Sequence, residues 1–174
     1  MRKIIISIFL VLTFLCSSVM SETAADWYKK ADALRDGNRY ADPEKAIKYF
    51  SNAIKLKPDW ADAYYSRGIV YASLGQYQRA IENYNVAIRL NPNDAIAYTN
   101  RGFAYDNLRQ EPLAIKDYSQ AICLKSDYLE AYKNRAIDYL NQGNNKPGCS
   151  DAQKACALGN CNLFEMAKRK GNCR

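Results

Sequence analysis

One block of residues returns along this chain at a single fixed spacing, and that spacing decides most of what the chain can become. Ala61-Asp-Ala-Tyr-Tyr-Ser-Arg-Gly reappears as Ala95-Ile-Ala-Tyr-Thr-Asn-Arg-Gly and as Leu129-Glu-Ala-Tyr-Lys-Asn-Arg-Ala, offset by 34 residues each time. Tyr64, Tyr98 and Tyr132 coincide, as do Arg67, Arg101 and Arg135, and Tyr71, Tyr105 and Tyr139. The second halves keep the register: Ala80 falls with Ala114, Tyr84 with Tyr118, and Ala87 with Ala121 and Ala155. Within a unit, the large residues recur at steps of three and four, which places them in one stripe along a helix. Small residues (Gly68, Ala80, Ala87) let paired helices approach closely while tyrosines fill the gaps. A lone hairpin of this kind cannot bury both of its flanks, so neighbouring units must stack.

The pattern resembles the tetratricopeptide repeat (TPR). That family's 34-residue unit carries an aromatic at position four, Gly or Ala at eight, Tyr commonly at eleven, Ala at twenty, an aromatic at twenty-four, Ala at twenty-seven and Pro at thirty-two. Residues 61–94 supply Tyr64, Gly68, Tyr71, Ala80, Tyr84, Ala87 and Pro92, with Arg67 where Leu is usual; residues 95–128 also replace the proline with Ser126. An earlier unit at about 24–60 has Trp27, Ala31, Leu34, Ala46, Phe50, Ala53 and Pro58, with about three extra residues near Gly37 to Asp42. The unit at 129–161 departs in its second half, where Gly148 replaces Ala and Ala152 stands in for the aromatic. The resemblance implies an all-α, right-handed superhelical stack of about four helical hairpins, closed by a capping helix and tail over 162–174. A helix start is predicted at Asp42-Pro43-Glu44, a start box at Asp127 with Glu130, and a helix end at Gly75.

The leading residues have the build of a secretory signal peptide: Arg2 and Lys3, an apolar run from Ile4 to Leu15, then Cys16-Ser17-Ser18. That run is too short to span ~30 Å of hydrocarbon. Cleavage after Ser21 would place Val19 and Ser21 at the two small-residue positions, leaving 22–174 as the exported domain, periplasmic or secreted. Lipidation at Cys16 is the rival and is disfavoured, because Phe14 and Leu15 stand where a lipobox needs a small residue. The segment takes Arg2 and Lys3 and no acid, so the net charge falls from +7 to +5, which does not argue for a nucleic-acid partner.

The chain has no histidine, which removes Ser-His and Cys-His nucleophilic sites and imidazole metal ligands. No Cys-x-x-Cys occurs, so no zinc site is expected, and no cofactor is implied. In an exported chain the cysteines default to disulfides. If the helix over about Gly148 to Leu158 turns at Gly159-Asn160 and runs back, Cys156 meets Cys161 near the turn and Cys149 meets Cys173 at the far end. A Cys149–Cys156 bond would have to span two helical turns, ~10 Å. Cys123 is left over and is expected to be buried and inert, with an intermolecular bridge as the alternative.

Tyrosines at positions four, eleven and twenty-four are expected in the core, with Arg67, Arg101 and Arg135 lying along their faces and their heads turned to solvent. In the family, the first helices line a concave groove for peptides. Carried over, that lining includes Tyr28, Asp32, Asp62, Ser66, Thr99, Asp106, Glu130, Lys133 and Asn141, and above all Tyr65, Ile69, Asn100, Phe103, Asn134 and Ile137. Asn100 and Asn134 sit where related proteins set an Asn amide against a ligand backbone, and an amide both donates and accepts. The cationic clamp for a C-terminal carboxylate is absent, since its positions hold Tyr65, Ile69, Asn100, Glu130 and Asn134. Asp32, Asp36, Asp62, Asp106 and Glu130 outnumber Lys29, Arg35 and Lys133 there, which suits neutral or basic polypeptides. The expected function is therefore a non-catalytic interaction module of the cell envelope that holds a peptide segment of a protein partner. A self-associating spacer and a hydrolase using paired carboxylates such as Asp32 and Asp62 are the alternatives.

Overall fold

The computed structural model describes residues 22–37 and 39–173. The leader expected at 1–21, with Cys16, lies outside them. Helices alternate in antiparallel pairs: α1 (Ala24–Asp32) with α2 (Pro43–Leu56), α3 (Ala61–Ser73) with α4 (Tyr77–Leu90), α5 (Ala95–Asn107) with α6 (Glu111–Leu124), and α7 (Leu129–Asn141) with α8 (Asn145–Ala157). A ninth, α9 (Asn162–Arg169), packs on α8. The extra residues of the first unit form two short antiparallel strands, β1 (Arg35–Asp36) and β2 (Arg39–Tyr40), pairing Arg35 with Tyr40 and Asp36 with Arg39. Among the described residues, no helix is long and apolar enough to cross a membrane.

Local chemistry sets the helix ends. Asp42 caps α2 by accepting from the Lys45 amide at 2.9 Å, with Pro43 at the first helical position. Asp94 caps α5 through the amides of Ile96 and Ala97. Thr23 and Asp26 form a reciprocal capping box at α1. The start box expected at Asp127 and Glu130 does not form. The residue in the register of Asp94 is Tyr128, which caps α7 without a side-chain bond. Gly75 and Gly143 close their turns with positive φ, and at the same place in the third unit Arg109 adopts φ 60° despite its Cβ.

The hairpins close by fitting a ring against a glycine. A Cβ added to Gly102 would lie 2.7 Å from the Tyr118 ring, and one added to Gly68 would lie 2.6 Å from Tyr84. Both tyrosines are essentially fully buried. In the fourth unit the sizes are exchanged. Ala136 faces Ala152, and Leu140 fills the space over Gly148, where a Cβ would lie 2.8 Å from it. The departures in that unit are therefore a compensated repacking, and α8 starts at Asn145 rather than near Gly148.

The repeated arginines do not turn their heads to solvent. Arg101 donates from Nε and Nη2 to both carboxylate oxygens of Asp117 on its own hairpin, each at 2.7 Å. From Nη1 it donates to Asn85 of the preceding hairpin at 2.7 Å. Arg135 repeats this with Asp151 and Ser119, and Arg67 does so with Asn83 and Ser51. Partners lie sixteen residues after and before each arginine, so one guanidinium joins the second helices of two successive hairpins. Ser51 and Ser119 give their own hydroxyl protons to the carbonyls of Ile47 and Ile115, which leaves their oxygens to accept from the arginines. The tyrosine faces are used as well: Arg101 lies 5.4 Å from the Tyr98 ring centre and 6.0 Å from that of Tyr105. The expected solvent-facing position fails because Asp117 and Asp151 are buried and need these donors.

Cys149 is bonded to Cys173 and Cys156 to Cys161, with Cα–Cα distances of 5.5 and 3.8 Å. The bonds hold the end where Leu163 of α9 covers Ala136 and Ala152. Cys123, expected to be buried, is exposed. It shares its register with Lys55 and Arg89 on the outer face of the second helices.

Urea unfolding of two variants tests the packing in opposite directions. Gly102→Ala should lose about 1–3 kcal/mol by driving a methyl into Tyr118. Arg109→Gly should gain about 1 kcal/mol by relieving a left-handed non-glycine residue.

Candidate functional site: the inner face of the first helices

The first helices α3, α5 and α7 together line the inner side of the stack. A concave cavity of about 600 Å³ results, walled by Ile69, Thr99, Asn100, Phe103, Glu130 and Asn134 from α3, α5 and α7. Tyr128, Ala72, Ser73 and Tyr84 also line it, with Arg35, Gly37 and Tyr40 of the β1–β2 hairpin. Phe103 is 48% exposed, so apolar surface faces the opening. A second, adjoining cavity of about 240 Å³ lies between α5, α6 and α7, bounded by Phe103, Asn134, Ile137 and Asn141 together with Asp106, Asp138, Glu111 and Arg109.

Of the six residues singled out from the sequence, Ile69, Asn100, Phe103, Asn134 and Ile137 lie on these walls. Tyr65, also expected on the lining, turns inward instead. It is half-buried against Tyr84, and its hydroxyl accepts a hydrogen bond from Asn100 Nδ2 at 2.8 Å. Burial, followed by the Asp94 charge, pushes the Tyr65 phenol up to about 12. Tyr65 thus fixes the Asn100 amide with its carbonyl oxygen left over. Tyr28 and Ser66 are also turned toward each other, their hydroxyl oxygens 3.0 Å apart. Asp32 pairs with Arg35 at 3.5 Å, and Asp62 accepts from the Trp60 indole at 3.3 Å, so neither stands as a free carboxylate of a catalytic pair. Among the described residues, no group of three or more Cys, Asp or Glu is arranged to hold a metal ion.

Sequence reasoning missed the contributions of Tyr40 and Tyr128, and missed Asp138 altogether. The overlooked signal is the repeat itself. The residues in register with Asp138 are Val70 and Ala104, both wholly buried, so a carboxyl occupies a core position. Asp138 is only 5% exposed, and its Oδ2 meets no donor. Asp106, in register with Ala72 and Leu140, accepts from the buried Tyr118 hydroxyl at 2.6 Å, while its other oxygen is also without a donor. The two carboxyls face each other closely enough to share one proton. Burial first, then the Asp106 charge, pushes Asp138 up to about 7, and Asp106 is raised mainly by burial.

Comparison with known proteins places this geometry. Residues 31–75 and 70–108 match the family described as TPR repeat. An uncharacterized protein of Methanocaldococcus jannaschii is 39% identical over 52 residues, which cover 30% of this chain and 57% of that protein. A crystal structure of MamA superposes with a TM-score of 0.72 at 26% identity, over 84% of this chain and 81% of that one. The first TPR domain of Spaghetti (RPAP3), solved bound to the HSP90 peptide SRMEEVD, superposes with a TM-score of 0.65 at 22% identity, covering 71% of this chain and 96% of that one.

The proton shared by Asp106 and Asp138 gives a pH test. A carboxyl raised in the folded state binds its proton more tightly there than in the unfolded chain. Its contribution is therefore present below the ordinary value of 3.8 and is lost as pH rises through about 7. Asp138→Asn mimics the protonated form, so its stability should fall less between pH 4 and pH 8 and should exceed that of the parent at pH 8 by roughly 1–3 kcal/mol. Equal pH slopes in the two proteins would show that no proton is held. The repeats and the architecture together establish an all-α, right-handed TPR stack of about four hairpins closed by a C-terminal helix.

Proposed function

We propose that this protein is a non-catalytic adaptor of the cell envelope that holds a segment of a partner protein along the inner face of α3, α5 and α7. The observation that carries this reading is the cavity of about 600 Å³, which sets apolar surface from Ile69 and Phe103 beside the amides of Asn100 and Asn134. Such a wall can grip side chains by burial and a peptide backbone by paired donor and acceptor, with little demand on its exact sequence. Asn100 suits the second task, because Tyr65 fixes its orientation.

The peptide held by the RPAP3 domain supports a polypeptide as the ligand class. Its acidic sequence does not carry over, because Glu130 lines this cavity and the clamp cations are missing. Export is supported by the two disulfides, which persist in oxidising compartments, and by the leader composition of residues 1–21.

The test is a pull-down from envelope extract with the parent protein and with the double variant Asn100→Ala, Asn134→Ala, its helical content checked by circular dichroism. A partner retained by the parent should be reduced at least tenfold on the variant while the fold persists. An undiminished partner would remove the groove from the account, and concentration-dependent mass in light scattering with no partner would favour the self-associating spacer.

A further inference from the structure

The wall of the larger cavity carries one cation and one carboxylate, and the fold sets them at opposite ends. Arg35 comes from the β1–β2 hairpin, whose second strand packs on α3, and Glu130 comes from the first turn of α7. Both side chains are exposed, and among the described residues Glu130 has no ion-pair partner. The Arg35 guanidinium is held from one side. Its Nη2 donates to the Tyr40 hydroxyl at 3.0 Å, and it lies 5.5 Å from the centre of that buried ring. Asp32 approaches its Nε at 3.5 Å from an exposed position, so Nη1 is left without an acceptor among the described residues. A fork fixed on one side with donors left on the other is set to receive a carboxylate. Between the two charges stand Ile69, Phe103 and the amides of Asn100 and Asn134. Two helix spacings of ~10 Å separate α3 from α7, a span covered by about six extended residues at ~3.3 Å each.

We propose that the groove reads the direction of its partner segment: an acidic side chain goes to Arg35, a lysine or arginine goes to Glu130, and uncharged residues lie between them. The assignment rests on the groove reading above and narrows the partner to a segment with opposite charges at its two ends. The amides of Asn100 and Asn134 can pair with a backbone laid in either direction, so they do not choose between the two. The charges do. A segment laid in backwards would set like charge against like at both ends, so the contacts that hold one orientation reject the other.

Random nine-residue peptides displayed on phage, panned on the purified oxidised protein and on its charge-swapped form Arg35→Glu, Glu130→Lys, test the direction. Peptides from the parent should share one acidic and one basic residue in a constant order, about six positions apart. Peptides from the swapped protein should share them in the reverse order. A second reading uses Glu130→Gln, which removes a charge from an exposed side chain and leaves the fold alone. Replacing the basic residue of a parent-selected peptide by norleucine should weaken binding at least fivefold on the parent and less than twofold on Glu130→Gln. The same charge order from both proteins, peptides with no shared pair of charges, or an equal norleucine effect on both proteins would overturn the assignment and leave the groove standing. Failure to select any peptide with the parent would overturn both.

Discussion

Each hairpin of this protein is tied to the one before it by a single guanidinium. Arg67, Arg101 and Arg135 stand where the repeat family usually has leucine, and each spans the second helices of its own hairpin and its predecessor. A leucine would join the layers by burial alone, tolerating slippage. A planar fork with a bidentate partner does not, because shifting one helix along the other breaks two directed bonds at once. The curvature of the stack, and hence the shape of its inner face, follows from how rigidly that register is kept.

This arrangement also explains the polar residues buried on the second helices. Asp117 and Asp151 are more than nine-tenths buried, which is tolerable only because an arginine satisfies both oxygens of each. Asn83, the neutral counterpart in the second hairpin, accepts one bond from Arg67 and spends its amide on the Arg79 carbonyl. Asp138 is the contrasting case. It lies on a first helix, beyond the reach of this ladder, and its buried Oδ2 has the Asp106 carboxyl for a neighbour in place of an arginine. The molecule pairs its buried carboxylates with arginine where it needs rigidity and sets two carboxyls against each other beside the groove.

The stack was legible because its signal repeats: rings, glycines and alanines at one spacing admit few arrangements, and the turn at Gly159-Asn160 brings Cys156 and Cys161 together. Legibility ended where a residue's role depends on its neighbour in another unit. The arginine heads depart from the solvent-facing expectation because, although a charged group at a helix surface normally stays wet, their partners sixteen residues away come together only once the hairpins close. Cys123 is exposed although its residue type favours burial, because its register with Lys55 and Arg89 puts it on the outer face. Tyr65 belongs to the groove lining by repeat position, yet its ring turns inward to Tyr84. The Asp106–Asp138 pair escaped because it appears only when repeats are compared for their differences as well as their matches.

The most direct measurement is a double-mutant cycle on Arg101 and Asp117, using Arg101→Leu, Asp117→Leu and the pair together, with urea unfolding under oxidising conditions. If the guanidinium sets the register, each single change should cost about 3–5 kcal/mol by stranding a buried charge. The pair should then recover part of that loss, with a coupling above ~1.5 kcal/mol. Single costs that are small and simply add, within ~0.5 kcal/mol, would mean the layers are held by ring and alanine packing alone.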